Sequence, residues 1–250
     1  TPDVYEGSPT SVTSFFAIVP KIAGIAVFIR FMYSPFQNIL DEWQYILVFI
    51  SIASMILGAV AAINQKNIKR LIAYSSISHM GYAIAGISTG TESGFKSTII
   101  YILIYSAMNI GFFAFVFLMK RTGTYTEDIN ELSGISKNHP LAALSLLVVL
   151  FSLAGIPPLA GFFAKFYIFM SVIESGMYAL AIIGLVTTVV SAFYYIRIVK
   201  VMYFDSPKKP FESFISYGIY GSLIFSCLFL SSFFMYPSIF NGIISKINIF

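Results

Sequence analysis

Charge is what this sequence has least of. Only 10% of its 250 residues are Asp, Glu, Lys or Arg, while 58% are hydrophobic and mean hydropathy is +0.84. A soluble domain carries roughly 25% charged residues. The two figures exclude an ordinary soluble or disordered chain and fit a membrane bundle. Cysteine is nearly missing: Cys227 stands alone, which excludes an internal disulfide, a cysteine-held iron–sulfur cluster and a cysteine zinc site. The net charge of +4 is small and dispersed, so nucleic acid is excluded as a partner. No stretch has the length and polarity of a separate soluble domain; the longest polar connection is 120–140.

What remains is a succession of long apolar runs. A spanning helix needs about 20 mostly apolar residues, and in lipid its backbone groups must be satisfied within the segment, which favours the α-helix. Seven segments qualify: about 10–33, 43–64, 68–89, 97–119, 141–173, 177–203 and 213–240. They predict an all-α transmembrane fold forming a single membrane domain over 1–250. With seven crossings, one side collects Lys66, Lys69, Arg70, Lys120, Arg121, Lys137, Arg197, Lys200, Lys208 and Lys209, and the other only Arg30, Lys96 and Lys246. By the positive-inside bias, the chain starts on the cytoplasmic or matrix side.

Two of the fifteen basic residues are left inside the apolar runs, Lys21 and Lys165, together with His79. The eleven acidic residues all fall in loops or at helix ends. Lys21 and His79 each lie 11 residues into their segments, roughly 16 Å down and near the middle of an approximately 30 Å core. A lysine at that depth is costly and usually faces a bundle interior or a wet cavity on an ion or proton path. The fifth segment is too long for one straight crossing and holds Gly155, Pro157, Pro158 and Gly161 in "AGIPPLAGFFAKFYIF". Proline removes a backbone donor and clashes with the turn before it, so a discontinuity between about Gly155 and Phe162 is expected, with Lys165 one turn beyond. Interrupted helices are tolerated where the freed backbone lines a protein-walled or watery cavity.

Simpler readings exist for each feature alone. Two prolines can make a plain kink, a lone His more often packs, and a single Lys can snorkel. Three basic groups at one depth without a buried acid point instead to a shared proton or ion pathway. Ser75, Ser76, Ser78, Tyr105, Ser106, Asn109, Thr187, Thr188 and Tyr195 could hold water along it. Lysine and histidine can both release and take up a proton, which arginine cannot.

Three stretches, "TPDVYEGSPTSVTSFFAIVPKIAG", "NQKNIKRLIAYSSISHMGY" and "AGIPPLAGFFAKFYIF", closely resemble the chain 2 (subunit N) family of respiratory complex I, the NADH:ubiquinone oxidoreductase. The resemblance covers essentially the whole chain. Lysine at Lys165 and "PDVYEG" in place of "PDAH" favour that family over the sister chain 4. The resemblance implies a bundle of two inverted five-helix repeats, each with one broken helix. This chain would hold the last helix of the first repeat, all of the second and a final helix. It further implies that Lys21, His79 and Lys165 are the catalytic groups of a proton relay. Where some sister subunits carry Lys or His in the fourth segment, Asn109 and Tyr105 stand here, so water would complete the relay.

On that resemblance the chain is expected to be a non-redox, proton-translocating membrane subunit of the respiratory electron-transport chain. It would bind no cofactor or metal itself, with NADH, FMN, iron–sulfur clusters and ubiquinone in other subunits. Its partners would be other complex I membrane subunits, membrane lipid and a separate chain supplying the family's N-terminal half. The expected location is the mitochondrial inner membrane, with the bacterial plasma membrane as the alternative. The competing functions are a subunit of a related cation/proton antiporter, a plastid-type complex I subunit and a purely structural membrane scaffold.

Overall fold

In the computed structural model, residues 1–121, 124–212 and 216–233 are described. They form ten α-helices: α1 Pro2–Gly7, α2 Thr10–Tyr33, α3 Leu40–Ala62, α4 Ile68–Ser88, α5 Glu92–Val116, α6 Ile135–Asn138, α7 Pro140–Ala154, α8 Ala160–Glu174, α9 Tyr178–Phe204 and α10 Tyr217–Ser232. Two-residue strands, β1 Lys120–Arg121 and β2 Thr124–Tyr125, make a small antiparallel hairpin in the long polar connection. The chain is thus an all-α membrane bundle, with one discontinuous helix among the described residues. The outer ends of the last expected crossing, and Lys246 with them, lie outside the described residues.

By length and composition, four helices among the described residues could cross a membrane: Thr10–Tyr33, Gln37–Ala62, Glu92–Val116 and Tyr178–Phe204. Their outer faces carry large apolar side chains, such as Val27, Phe49 and Val189. That is the pattern of a surface facing hydrocarbon rather than water. α5 instead is buried along most of its length and runs through the centre of the bundle. It begins at Glu92, five residues ahead of the apolar run from 97, because Thr91 caps it: the Thr91 hydroxyl accepts from the Gly94 amide at 3.1 Å. α4 is capped likewise by Asn67, whose side chain accepts from the Lys69 and Arg70 amides. Such caps satisfy orphan amides of the first turn.

α3 and α4 form the tightest antiparallel pair. A Cβ on Gly58 would sit 2.5 Å from the Ser78 amide nitrogen, and one on Gly81 2.7 Å from Met55 Cγ. Small residues at these two points let the backbones approach closely, the usual device in membrane bundles. The loops carrying most of the Lys and Arg residues gather at one end. There the Ile68 amide donates to Glu127 O (2.8 Å), the Ile129 amide to Lys66 O (2.9 Å) and the Gly134 amide to Val201 O (3.0 Å). Lys69–Glu127 (2.5 Å), Arg70–Glu6 (2.7 Å) and Lys208–Glu131 (2.8 Å) pair across them.

Candidate functional site

The fifth segment divides at one sequence point. α7 ends on Gly155, whose φ of 84° is left-handed and favours glycine. Its amide donates to Phe151 O and Ser152 O, and the Ile156 amide donates to Phe151 O at 2.9 Å, a Schellman-type close of the helix. Pro157 and Pro158 follow, joined by a cis peptide, and α8 starts at Ala160. The glycine after the break has a packing role. The Gly161 amide donates to Ser152 Oγ at 3.0 Å, and a Cβ there would lie 1.7 Å from the Ser152 carbonyl oxygen. Only glycine lets the start of α8 lie against the last turn of α7.

Lys165 reaches back across this break. Its Nζ donates to Leu153 O and Ala154 O, each at 3.1 Å. These carbonyls belong to the last turn of α7, where the chain has left its helical path. A cation at a helix C-terminus also complements the negative end of the helix dipole. The lysine is 4% exposed, and its ammonium lies over the Tyr82 ring, 5.2 Å from the centroid.

His79 is 2% exposed and surrounded by tyrosines. Its Nδ1 is hydrogen-bonded to Tyr101 OH at 2.6 Å and its Nε2 lies 3.3 Å from Tyr195 OH. The rings of Tyr105 and Tyr82 flank it at 5.1 and 6.1 Å between centroids. Lys21, half-buried on α2, donates to Ser76 Oγ and, at 3.1 Å, to Tyr105 OH. Its ammonium also lies 5.4 Å from the centre of the Tyr5 ring. The three basic residues therefore sit on α2, α4 and α8 with a tyrosine between each neighbouring pair: Lys21, Tyr105, His79, Tyr82, Lys165. Both lysines lie within electrostatic reach of His79.

Asn109 lies one turn along α5 from Tyr105. Its Nδ2 donates to Tyr105 O at 2.8 Å, and its buried Oδ1 has no hydrogen-bond partner among the described residues. A buried acceptor in that state calls for water. Ser76, Tyr105 and Tyr195 join the network, whereas Ser106 turns its hydroxyl back to Ile102 O at 2.7 Å and lines an apolar groove between α2 and α5. The sequence reading missed Tyr82, Tyr101 and Tyr194, although Tyr82 follows His79 by three residues and Tyr101 precedes Tyr105 by four, both same-face spacings on a helix. It also missed Lys69, which reads as a loop charge but is 2% exposed and paired with Glu127. Among the described residues no cluster of His, Cys, Asp or Glu could hold a metal ion.

Residues 1–191 match the family model described as NADH:quinone oxidoreductase/Mrp antiporter, transmembrane. NADH-quinone oxidoreductase subunit N of Pelagibacter ubique is 60% identical over 248 residues, covering 99% of this chain and 53% of that protein. A chain of respiratory complex I from Thermus thermophilus, solved with bound aureothin, superposes with a TM-score of 0.80 at 31% identity, covering 95% of this chain and 52% of that one. A chain of the Mrp complex from Dietzia sp. superposes with a TM-score of 0.84 at 18% identity, covering 98% of this chain and 54% of that one, a likeness of fold. The chain spans about half the length of the curated relatives it matches.

Proposed function

Because the chain belongs to the NADH:quinone oxidoreductase/Mrp antiporter transmembrane family, we propose that it acts as subunit N in a proton-translocating NADH:quinone oxidoreductase, with Lys21, His79 and Lys165 carrying part of its proton relay. The observation that carries the reading is the tyrosine-bridged row of three basic groups, ending at a lysine that holds the open end of a broken helix. A proton taken up by Lys21 has a hydroxyl path by way of Tyr105 toward the His79 ring, whose two nitrogens can accept on one side and release on the other. Water beside Asn109 Oδ1 fits the gaps, since bridging water carries hydrogen bonds between groups too far apart to touch. Lys165 receives the proton where the carbonyls of Leu153 and Ala154 steady its charged form.

In this reading α3, α4, α5, α7/α8 and α9 make up the second five-helix repeat. The subunit is non-redox: NADH, FMN, iron–sulfur clusters and quinone are bound by other subunits, and this chain contributes proton movement. Other complex I membrane subunits are its partners. Further helices of the membrane arm have their place against α2, whose exposed face includes Phe15, Val19 and Val27. The named relatives are bacterial, which leaves the mitochondrial inner membrane without support and favours a bacterial plasma membrane, with the basic loops on the cytoplasmic side. The antiporter alternative rests on the Dietzia likeness, at 18% identity against 60% for the Pelagibacter subunit.

The test is proton uptake measured beside quinone reduction in vesicles carrying the whole complex. Lys165→Ala is expected to lose proton uptake, and quinone reduction falls with it if the two are obligately coupled. Lys165→Arg is expected to be nearly as damaging, because arginine keeps the charge and cannot release its proton. Full pumping by the Arg variant would show that charge suffices and that the relay role is wrong.

A further inference from the structure

The seam between α4 and α9 carries a second polar path that shares Tyr82 and Tyr195 with the Lys–His–Lys row and leaves it through Ser78, Ser191 and Tyr194. On α4, Ser75, Ser78 and Tyr82 recur at intervals of three and four and so share one face. On α9, Thr187, Ser191 and Tyr194 or Tyr195 do the same. The ends of this facing pair are closed by direct bonds. Ser75 and Tyr195 are hydrogen-bonded to each other at one end. At the other, Tyr82 OH meets Thr187 Oγ1 at 3.1 Å and Thr188 Oγ1 at 3.0 Å. The middle is different. Ser78, Ser191 and Tyr194 are 1%, 2% and 0% exposed, and their hydroxyls find no hydrogen-bond partner among the described residues. Ser78 and Ser191 both neighbour the Tyr82 hydroxyl, and Ser191, Ser75 and Tyr195 neighbour that of Tyr194, so the unpartnered hydroxyls lie between the two closed ends.

A buried hydroxyl without a partner is costly. Neighbouring buried hydroxyls of this kind, together with those of Tyr82 and Tyr195, would give a water molecule the two to four partners it needs. We infer that the α4–α9 seam holds water between Ser78, Ser191 and Tyr194, and that this water joins the Tyr195 and Tyr82 ends into a proton-conducting branch running along the helix axes, across the row of basic groups. From Tyr195 to Thr187 the branch climbs about 12 Å at the α-helical rise. It begins at Tyr195, which lies against His79 Nε2, and ends at Thr188, which is half-buried. The positive charges of Lys165 and of His79 when protonated disfavour a metal cation here. They do not hinder neutral water, through which a proton passes by exchange. Each oxygen accepts one proton on a lone pair and releases its own to the next oxygen, so the chain of hydroxyls and water ends unchanged apart from its orientation.

This branch rests on the proton-translocation reading, and its test separates the two. A cryo-EM map of the whole complex at a resolution that shows water is expected to hold density within hydrogen-bond reach of Ser78 Oγ, Ser191 Oγ and Tyr194 OH; a dry seam overturns the branch whatever the pumping. In vesicles, Tyr82→Phe keeps the ring beneath Lys165 and removes only the hydroxyl. Ser191→Val and Ser191→Thr add nearly the same bulk, but only Thr keeps the hydroxyl, which controls for folding. The branch requires that Tyr82→Phe and Ser191→Val lose proton uptake as Lys165→Ala does, while Ser191→Thr retains more of it than Val. Loss in Lys165→Ala beside normal uptake in Tyr82→Phe and Ser191→Val overturns the branch and leaves the relay. Loss in those two hydroxyl variants beside normal uptake in Lys165→Ala overturns the role of Lys165 and supports the branch.

Discussion

Lys21 and Lys165 are the same residue in the same kind of apolar run, yet the fold treats them differently. Lys21 sits on α2, a continuous helix with most of its surface outward, and is held by the hydroxyls of Ser76 and Tyr105. Lys165 sits beyond a break, is 4% exposed, and is held by two backbone carbonyls. Hydroxyls can turn and find other partners when the lysine changes its charge. Carbonyls at a helix end cannot turn and only accept. A membrane protein can thus stabilise a buried ammonium in two ways: with adaptable side chains, or by opening a helix and giving the lysine the freed backbone. The second ties the lysine's geometry to the integrity of the break.

The sharpest way to break that comparison is at Gly161. A methyl there would lie 1.7 Å from the Ser152 carbonyl oxygen, a backbone atom that cannot swing aside. Gly161→Ala is expected to force α7 and α8 apart and to destabilise the subunit by about 3 kcal/mol or more, read as loss of the assembled subunit or a lowered thermal midpoint of the purified complex. A Gly161→Ala complex as stable as wild type would mean that the tight junction between α7 and α8 is not needed.

A milder contrast uses the lysines themselves. Replacing either by methionine removes a charge that is costly to keep in hydrocarbon. At Lys165 the change also strands the carbonyls of Leu153 and Ala154, and a buried polar group left unmade costs about 1–3 kcal/mol. At Lys21 the Ser76 and Tyr105 hydroxyls are free to pair elsewhere. Lys165→Met is therefore expected to lower the thermal midpoint and Lys21→Met to leave it unchanged or raise it. Equal effects would show that the carbonyl grip on Lys165 contributes nothing to stability.

The contrast also explains what could be read in advance. Helix existence was legible because apolar length alone decides it, and the break was legible because Gly155, Pro157 and Pro158 cannot extend a helix; the loop found at 155–159 falls where those residues pointed. The partners of Lys165 were not legible, because a carbonyl oxygen leaves no mark in a sequence and the chain must fold back before it becomes available. The tyrosines around His79 were half-hidden for another reason. Tyr82 and Tyr101 look like members of an aromatic belt, and only the rotation of α4 against α5, set by packing, turns their hydroxyls inward. The same rotation turns Ser106 away. Lys69 shows the limit of counting charges: its place at the end of a segment read as solvated, while the loop bearing Glu127 folds over it.

The smallest expected effect lies on α2, where a methyl tests openness rather than tightness. A Cβ on Gly24, three residues from Lys21, would meet nothing within 4 Å in this chain. Glycine within a helix is less stable than alanine by roughly 0.5–1 kcal/mol. In space filled only by lipid or water, Gly24→Ala should raise the thermal midpoint slightly, the opposite sign to Gly161→Ala on the broken helix. Gly24 falls seven residues after the buried Ala17, almost on the same line of the helix. It is exposed, and at three residues from Lys21 it lies beside that lysine on the helix surface. A slight gain in stability without loss of proton uptake would show spare room beside Lys21. A gain in stability that slows uptake would show that the room is used by water serving the lysine. A loss of stability would mean that another helix of the assembled subunit closes over Gly24, making the surroundings of Lys21 as tight as those of Lys165 and removing the contrast between them.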